Sequence, residues 1–320
     1  EEYLENVKEI GDESNLVVIP SEENYTNNII TEELKYNNDY GGFSEDGTEY
    51  RIKVSKDIKL PTVWSHVLAN KNFGSVITES MGGYTWFKNS RLNRLTAWNN
   101  NPVTDVPSEV IYFEDMDTRK IWSMGLNPVP DDSPYYITYG FGYAKYTHIS
   151  DGLKQNVDIF VPMNENVKIQ VLTLENTQVK KKEVKIVYYL KPVLDEDEIK
   201  SNGYQKIEYN NKFNMITMQN ISKTTNTNIM WVSSSENILS YTGSKQSFFG
   251  KGNLHSPDAL RKVELDNKNS LWQDGIIAIE LKVEIEALAK KEIVLMMGAG
   301  ESMLECQDTS YKYSNLNNVR

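Results

Sequence analysis

The chain has 320 residues but only one cysteine, Cys306, and three histidines. A lone thiol excludes an internal disulfide and any cysteine-based zinc site. It fits a reducing compartment, although secreted bacterial chains also do without cysteine. His66, His148 and His255 lack metal-ligand spacing, so each reads as a hydrogen-bonded structural or loop residue. No metal and no cofactor is expected. Positive charge is also short: 34 Lys and Arg against 45 Asp and Glu leave a net charge of −11. Phosphate contacts need a basic surface, so nucleic acid and anionic membrane are disfavoured as general partners. Mean hydropathy is −0.54, and no apolar run reaches the ~18 residues of a membrane helix. No signal peptide precedes Glu1 and no methionine opens the chain, so it reads as a segment excised from a longer protein.

What the chain has in quantity is aromatic and β-branched residues, with Tyr 19, Phe 9 and Trp 6. They fall in short alternating runs that predict strands. These are Tyr50–Val54, Ser75–Glu79, Val110–Phe113, Tyr135–Tyr139, Tyr143–His148, Leu153–Val161, Val167–Glu175 and Glu183–Tyr189. Tyr204–Tyr209, Phe213–Gln219, Ile229–Ser233, Gly275–Glu286 and Glu292–Met297 follow. Turn pairs such as Asp46-Gly47, Asp151-Gly152 and Asn202-Gly203 separate them. So many strands at short spacing predict one large antiparallel two-sheet sandwich. Val167, Ile169 and Val171 are placed on its inward face, as are Ile277, Ile279, Leu281, Val283 and Ile285. Residues 1–39 read as a peripheral extension, partly helical around Thr31–Tyr36. Residues 40–299 read as the sandwich, with a helical turn near Pro257–Val263, and residues 300–320 as the start of a linker helix.

The densest group of unusual residues runs from Gly82 to Pro102. Its Tyr84, Trp86, Arg91, Arg94, Trp98 and Asn99 are candidate site residues. Aromatic faces stack on the C–H faces of sugar rings, while Arg and Asn donate to hydroxyls. The competing reading is that aromatics of a β protein belong to its core, with Arg stems packed along them. Glu45, Asp46, Glu79 and Asp105 lie near this stretch and are possible polar sugar contacts. None is singled out as a catalyst, because two positioned carboxylates cannot be picked from 45 acidic residues. Asp115-Met116-Asp117 reads as a charged hairpin turn and Leu194–Lys200 as a solvated loop. The Gly-x-Gly segments lack strand–helix context, and there is no Gly-x-Ser-x-Gly elbow.

Longer motifs carry a resemblance. Tyr40-Gly41-Gly42-Phe43 through Tyr50, Pro61-Thr62-Val63-Trp64 with Asn70, and Asn72-Phe73-Gly74 come in order. Thr78-Glu79-Ser80, Gly83-Tyr84-Thr85-Trp86, Asn89-Ser90-Arg91, Arg94-Leu95-Thr96, Trp98, Asn101-Pro102-Val103 and Asp105 follow. Glu109 to Asp115 and Trp122-Ser123 complete this block, with Ser247-Phe248-Phe249-Gly250 and Pro257-Asp258-Ala259-Leu260 far downstream. Together they resemble the amino-terminal domain of glycoside hydrolase family 94, over about Tyr40 to Gly300. That family includes disaccharide phosphorylases and cyclic β-1,2-glucan synthases, and the downstream motifs are closest to the synthase branch.

The resemblance implies an all-β, galactose mutarotase-like super-sandwich with short helical extensions at its termini. It implies a domain that precedes an (α/α)6 catalytic barrel, here missing, which in the family carries the general acid and the phosphate site. The expected role is therefore non-catalytic. The domain would shape the substrate cleft or a homodimer interface of an enzyme acting on β-glucan or oligosaccharide, expected to be β-1,2-linked, with the Trp86, Arg91, Arg94 and Trp98 patch as the candidate for that contact or for sugar binding. An independent carbohydrate-binding module is the alternative, and intrinsic glycoside hydrolysis a weaker one. The expected location is the cytoplasm, or the cytoplasm-facing part of a membrane-bound parent.

Overall fold

A computed structural model describes residues 33–222 and 228–319. Its strands form three antiparallel sheets. The largest has eleven strands, in the order Gly41–Phe43 (β1), Glu49–Val54 (β2), Tyr135–Gly140 (β9), Tyr143–Ser150 (β10), Leu153–Phe160 (β11), Val167–Asn176 (β12), Lys290–Gly300 (β21), Ile229–Ser234 (β17), Met215–Asn220 (β16), Gln205–Asn210 (β15) and Ser270–Gln273 (β19). A five-stranded sheet runs Ser240–Thr242 (β18), Ile277–Ile285 (β20), Lys182–Leu190 (β13), Glu109–Asp115 (β7), Ile121–Ser123 (β8). Another runs Pro192–Asp195 (β14), Arg94–Thr96 (β6), Gly83–Phe87 (β5), Phe73–Thr78 (β4), Ser65–Ala69 (β3). The super-sandwich is thus present, with three sheets where the sequence suggested two.

One apolar core joins all three sheets. Ile137, Val157, Leu172 and Leu174 from the large sheet meet Ile111, Phe113, Ile186 and Leu281 from the second and Phe73, Phe87 and Leu95 from the third. The period-two pattern of β20 sends Ile277, Ile279, Leu281, Val283 and Ile285 into this core, as expected. In β12 the expected faces are exchanged. Val167 and Ile169 pack on the outer side of the large sheet, beneath the helix Met303–Ser314. Lys168, Gln170 and Leu172 are the side chains between the layers. Polar residues can sit there because each is partnered. Lys168 Nζ lies 2.5 Å from Glu109 Oε2, and Gln170 Nε2 lies 2.7 Å from Glu109 Oε1 and 2.8 Å from Tyr188 Oη.

A second apolar cluster covers the outer face of the β13–β20 sheet. It is built from Tyr112, Val187, Tyr189 and Ala278 beneath Phe248, Ala259, Leu260 and Leu265. Phe248 comes from the helix Lys245–Phe249, which the sequence reading did not anticipate. Ala259 and Leu260 come from the 3-10 turn Asp258–Arg261, which lies within the helical turn it did. The terminal helix is capped by Ser302, whose Oγ accepts from Glu305 N–H at 3.2 Å. Cys306 and Tyr313 are its buried anchors.

Two local expectations change. Lys35 pairs with Phe43 as an antiparallel bridge, so the described end of Thr31–Tyr36 is extended, not helical; Thr31 and Glu32 lie outside the described residues. Leu194–Lys200 is not a plain loop. Asp195 ends β14 opposite Arg94, and Asp197 caps the short helix Glu198–Ser201. The Asp115–Asp117 stretch is the expected β7–β8 turn, with Asp115 Oδ1 accepting from the N–H groups of Asp117 and Thr118. No helix among the described residues is long and apolar enough to cross a membrane.

Candidate functional site

The hairpin β5–β6 assembles the aromatic stretch. Alternation along β5 sends Thr85 and Phe87 toward the interlayer core and Tyr84 and Trp86 to the opposite face. Trp86 sits opposite Gly74 in register. A Cβ on Gly74 would lie 2.3 Å from the indole, so only glycine lets that ring lie across β4. Arg94, paired with Trp86, holds its guanidinium 5.3 Å from the Tyr84 ring centre and 5.4 Å from that of Trp98. Tyr84 and Trp98 stack at 4.6 Å and 21°, and Tyr84 and Trp86 meet at 5.5 Å and 39°.

Four of the six candidates therefore form one packed group. Tyr84 is buried, Trp86 and Arg94 are half-buried, and Trp98 is 36% exposed. Arg91 and Asn99 do not join it. Asn89 Oδ1 accepts from the N–H groups of Arg91 and Leu92, which turns the chain and leaves Arg91 exposed, 4.0 Å from Glu196. Asn99 is exposed in the loop after β6.

A polar turn at the end of β4 brings together two of the expected acids, Glu79 from the turn itself and Asp105 from the loop after β6. Thr78 and Ser80 both donate to Asp105 Oδ2, the Thr78 bond at 2.5 Å, and Gly82 N–H donates to Thr78 Oγ1 at 2.8 Å. Asp105 is held in the left-handed region at φ 36°, as is Met81 at φ 64°. Between the two hydroxyls, Glu79 is buried, with Trp64 N–H donating to its Oε2 at 3.0 Å. Burial, with a smaller push from the nearby Asp105 charge, raises its carboxyl to about 7 against that bond. Thr78 and Ser80 carry no sequence signal beyond being hydroxyls either side of Glu79. Their link to a residue some 25 positions away appears only in the fold.

Of the remaining acids, Glu45 is exposed, while Asp46 and the histidines are bound to local structure. Asp46 is held at about 2 by bonds from Ser44 and Thr48 in its own turn. His66 Nε2 lies 2.9 Å from the Gly140 carbonyl, and its ring stacks on Tyr139. His148 is fixed by the Pro134 carbonyl and Asp131. Among the described residues, no three of His, Cys, Asp and Glu are grouped so as to hold a metal ion. Glycoside hydrolysis needs two carboxyls open to a sugar. Here Glu79 is buried and Asp105 is committed to two hydroxyls, so this pair does not present two open carboxyls.

Fold and site together define a β-supersandwich with a packed aromatic–arginine face. The chain belongs to the glycosyl hydrolase 94 supersandwich domain family, whose model matches residues 48–316. It is 24% identical over 274 residues to the cyclic beta-(1,2)-glucan synthase NdvB of Rhizobium meliloti (strain 1021), covering 84% of this chain and 10% of that protein. It is 32% identical over 141 residues to the N,N'-diacetylchitobiose phosphorylase of Vibrio furnissii, covering 43% of this chain and 17% of that enzyme. Both relatives are far longer than the stretch they share with it. Among solved structures, a bacterial glucoamylase complexed with acarbose superposes with a TM-score of 0.50 at 11% identity, over 84% of this chain and 38% of its own. That likeness is one of fold.

Proposed function

We propose that the chain is the non-catalytic β-sandwich domain of an enzyme acting on β-glucan, of the cyclic β-1,2-glucan synthase or β-1,2-oligoglucan phosphorylase kind. Its Tyr84–Trp86–Arg94–Trp98 group is a preformed contact face. It shapes the substrate cleft against the catalytic barrel, or forms the interface with a second subunit. The parent would work in the cytoplasm or on the cytoplasmic side of a membrane. The observation that carries this reading is the stack itself. Tyr84 and Trp98 lie against each other and Arg94 lies near both rings, so little ring face is left for a sugar. A cation held over aromatics contributes about 0.5–2 kcal/mol, enough to keep such a face ordered before a partner arrives.

An independent carbohydrate-binding module is the second reading, and the 36% exposure of Trp98 favours it. Calorimetric titration with short β-1,2-linked gluco-oligosaccharides separates the two. The contact-face reading expects the same heats from the unmodified chain, Trp86→Ala and Trp98→Ala. Binding abolished by either substitution supports the module. In a full-length parent, Arg94→Ala with Trp98→Ala is expected to lower kcat/KM by about tenfold to a hundredfold through a misplaced cleft wall.

A further inference from the structure

A groove of about 790 Å³ opens on the outer face of the β13–β20 sheet, between the segment Lys245–His255 and the residues that end β19. Its size is that of a ligand site, and nothing above assigns it a role. We infer that it is a carbohydrate subsite for a neutral gluco-oligosaccharide, distinct from the Tyr84–Trp98 face. The inference rests on reading the chain as glucan-associated.

Both walls are fixed before any ligand arrives. Phe248 is driven into the core, where it stacks on Tyr189 at 5.1 Å and 20°. Its neighbour Phe249 is left half-buried on the groove floor, meeting Phe248 edge-on at 83°. Gly250 turns the chain at φ 57°, and a Cβ there would lie 2.1 Å from the Asp258 carboxylate, which accepts from Lys251 N–H. Tyr112 Oη donates to the Leu254 carbonyl at 2.8 Å, anchoring the loop to β7. On the other wall, a bulge in the β15–β19 pairing, with Trp272 at φ 58°, re-aims the end of the strand so that Gln273 lines the groove.

The chemistry of the lining selects the ligand. Phe249 supplies an aromatic surface for the C–H face of a sugar ring. Gln246 and Gln273 present side-chain amides from exposed positions. Asn253 spends its Oδ1 on His255 N–H, which leaves its NH2 for a ligand oxygen. His255 Nδ1 is occupied by the Pro128 carbonyl at 2.7 Å, so Nε2 is its outward nitrogen. The cations are already compensated. Lys245 Nζ is 2.6 Å from Asp274 Oδ2, and Lys191 pairs with the same carboxylate and lies 3.8 Å from Glu198 Oε2, so two carboxylates offset the two lysines. Aromatic surface, amides and lysines already offset by carboxylates suit hydroxyl groups better than a phosphate or a carboxylate.

The test is calorimetric titration of the chain with short β-1,2-linked gluco-oligosaccharides, with β-1,3- and β-1,4-linked ones and inorganic phosphate as separate arms. The double variant Gln246→Ala/Gln273→Ala changes only exposed side chains, so folding is preserved. Saturable binding of an oligosaccharide is expected. The double variant should weaken it about tenfold, as loss of two hydrogen bonds does, and Trp98→Ala should leave it unchanged. Binding that survives the double variant overturns the inference, as does preference for phosphate. Absence of all sugar binding overturns it while leaving the contact-face reading intact, whereas loss in Trp98→Ala alone defeats both.

Discussion

Glu79 shows how a single side chain links burial to pH. Its carboxyl sits at about 7 in the native state against an ordinary 4.5. Below the lower value both folded and unfolded chains hold the proton. Between the two, the unfolded chain ionises while the native one does not, so stability falls as pH rises through this window and then levels off. The shift corresponds to about 3 kcal/mol. Glu79→Gln keeps an acceptor for Trp64 N–H and removes the ionisation. Thermal unfolding is expected to show the variant more stable than the parent above pH 7, with the advantage gone below pH 4.5. The neighbouring Gly74 gives a steric prediction. Gly74→Ala should displace the Trp86 indole and cost about 1–3 kcal/mol, read by unfolding together with a shift in tryptophan fluorescence. The types of residue in the patch were legible in the sequence, because Trp, Tyr and Arg in one short stretch are unusual. Which of them touch was not. Arg91 looked equivalent to Arg94, and only the Asn89 turn separates them.

At the scale of elements, strands with clean alternation, such as β11 and β20, could be read directly from their sequences. Strands whose composition breaks the pattern could not. β5 begins with Gly83 and carries Tyr84 and Trp86 on the outer face, so it read as a patch of unusual residues before it read as a strand. β14 begins with Pro192 and runs into an acidic cluster, so it looked like a loop. In β12 the buried Lys168 and Gln170 mimic a solvent face, and that is why its two sides were exchanged. The burial of Lys168 in β12 has a direct test. Lys168 is 3% exposed and also donates to Thr85 Oγ1 at 3.1 Å. Lys168→Met leaves Glu109 buried without its cation and is expected to cost about 3–5 kcal/mol in denaturant unfolding. Adding Glu109→Gln should recover much of that loss. A single-variant cost below about 1 kcal/mol, typical of surface pairs, would show that Lys168 is not held between the layers.

For the whole molecule, a large antiparallel sandwich followed from strand number and spacing, while its super-sandwich form and its family followed from the resemblance carried by ordered motifs spread over most of the chain. The division of the second layer into two sheets was not legible, because it depends on where β14 and β6 pair across a gap of nearly a hundred residues. The groove beside Phe249 was equally hidden. Its walls come from Lys245–His255 and from Gln273 and Asp274, which meet only once the outer face of the β13–β20 sheet is covered. The central claim is that the aromatic–arginine group is a contact face and not a sugar platform. The most direct measurement is calorimetric titration of the chain, of Trp86→Ala and of Trp98→Ala with short β-1,2-linked gluco-oligosaccharides. Matching isotherms for all three are the predicted result. Saturable binding by the unmodified chain that disappears in either tryptophan variant would contradict the account and make the group a carbohydrate-binding site.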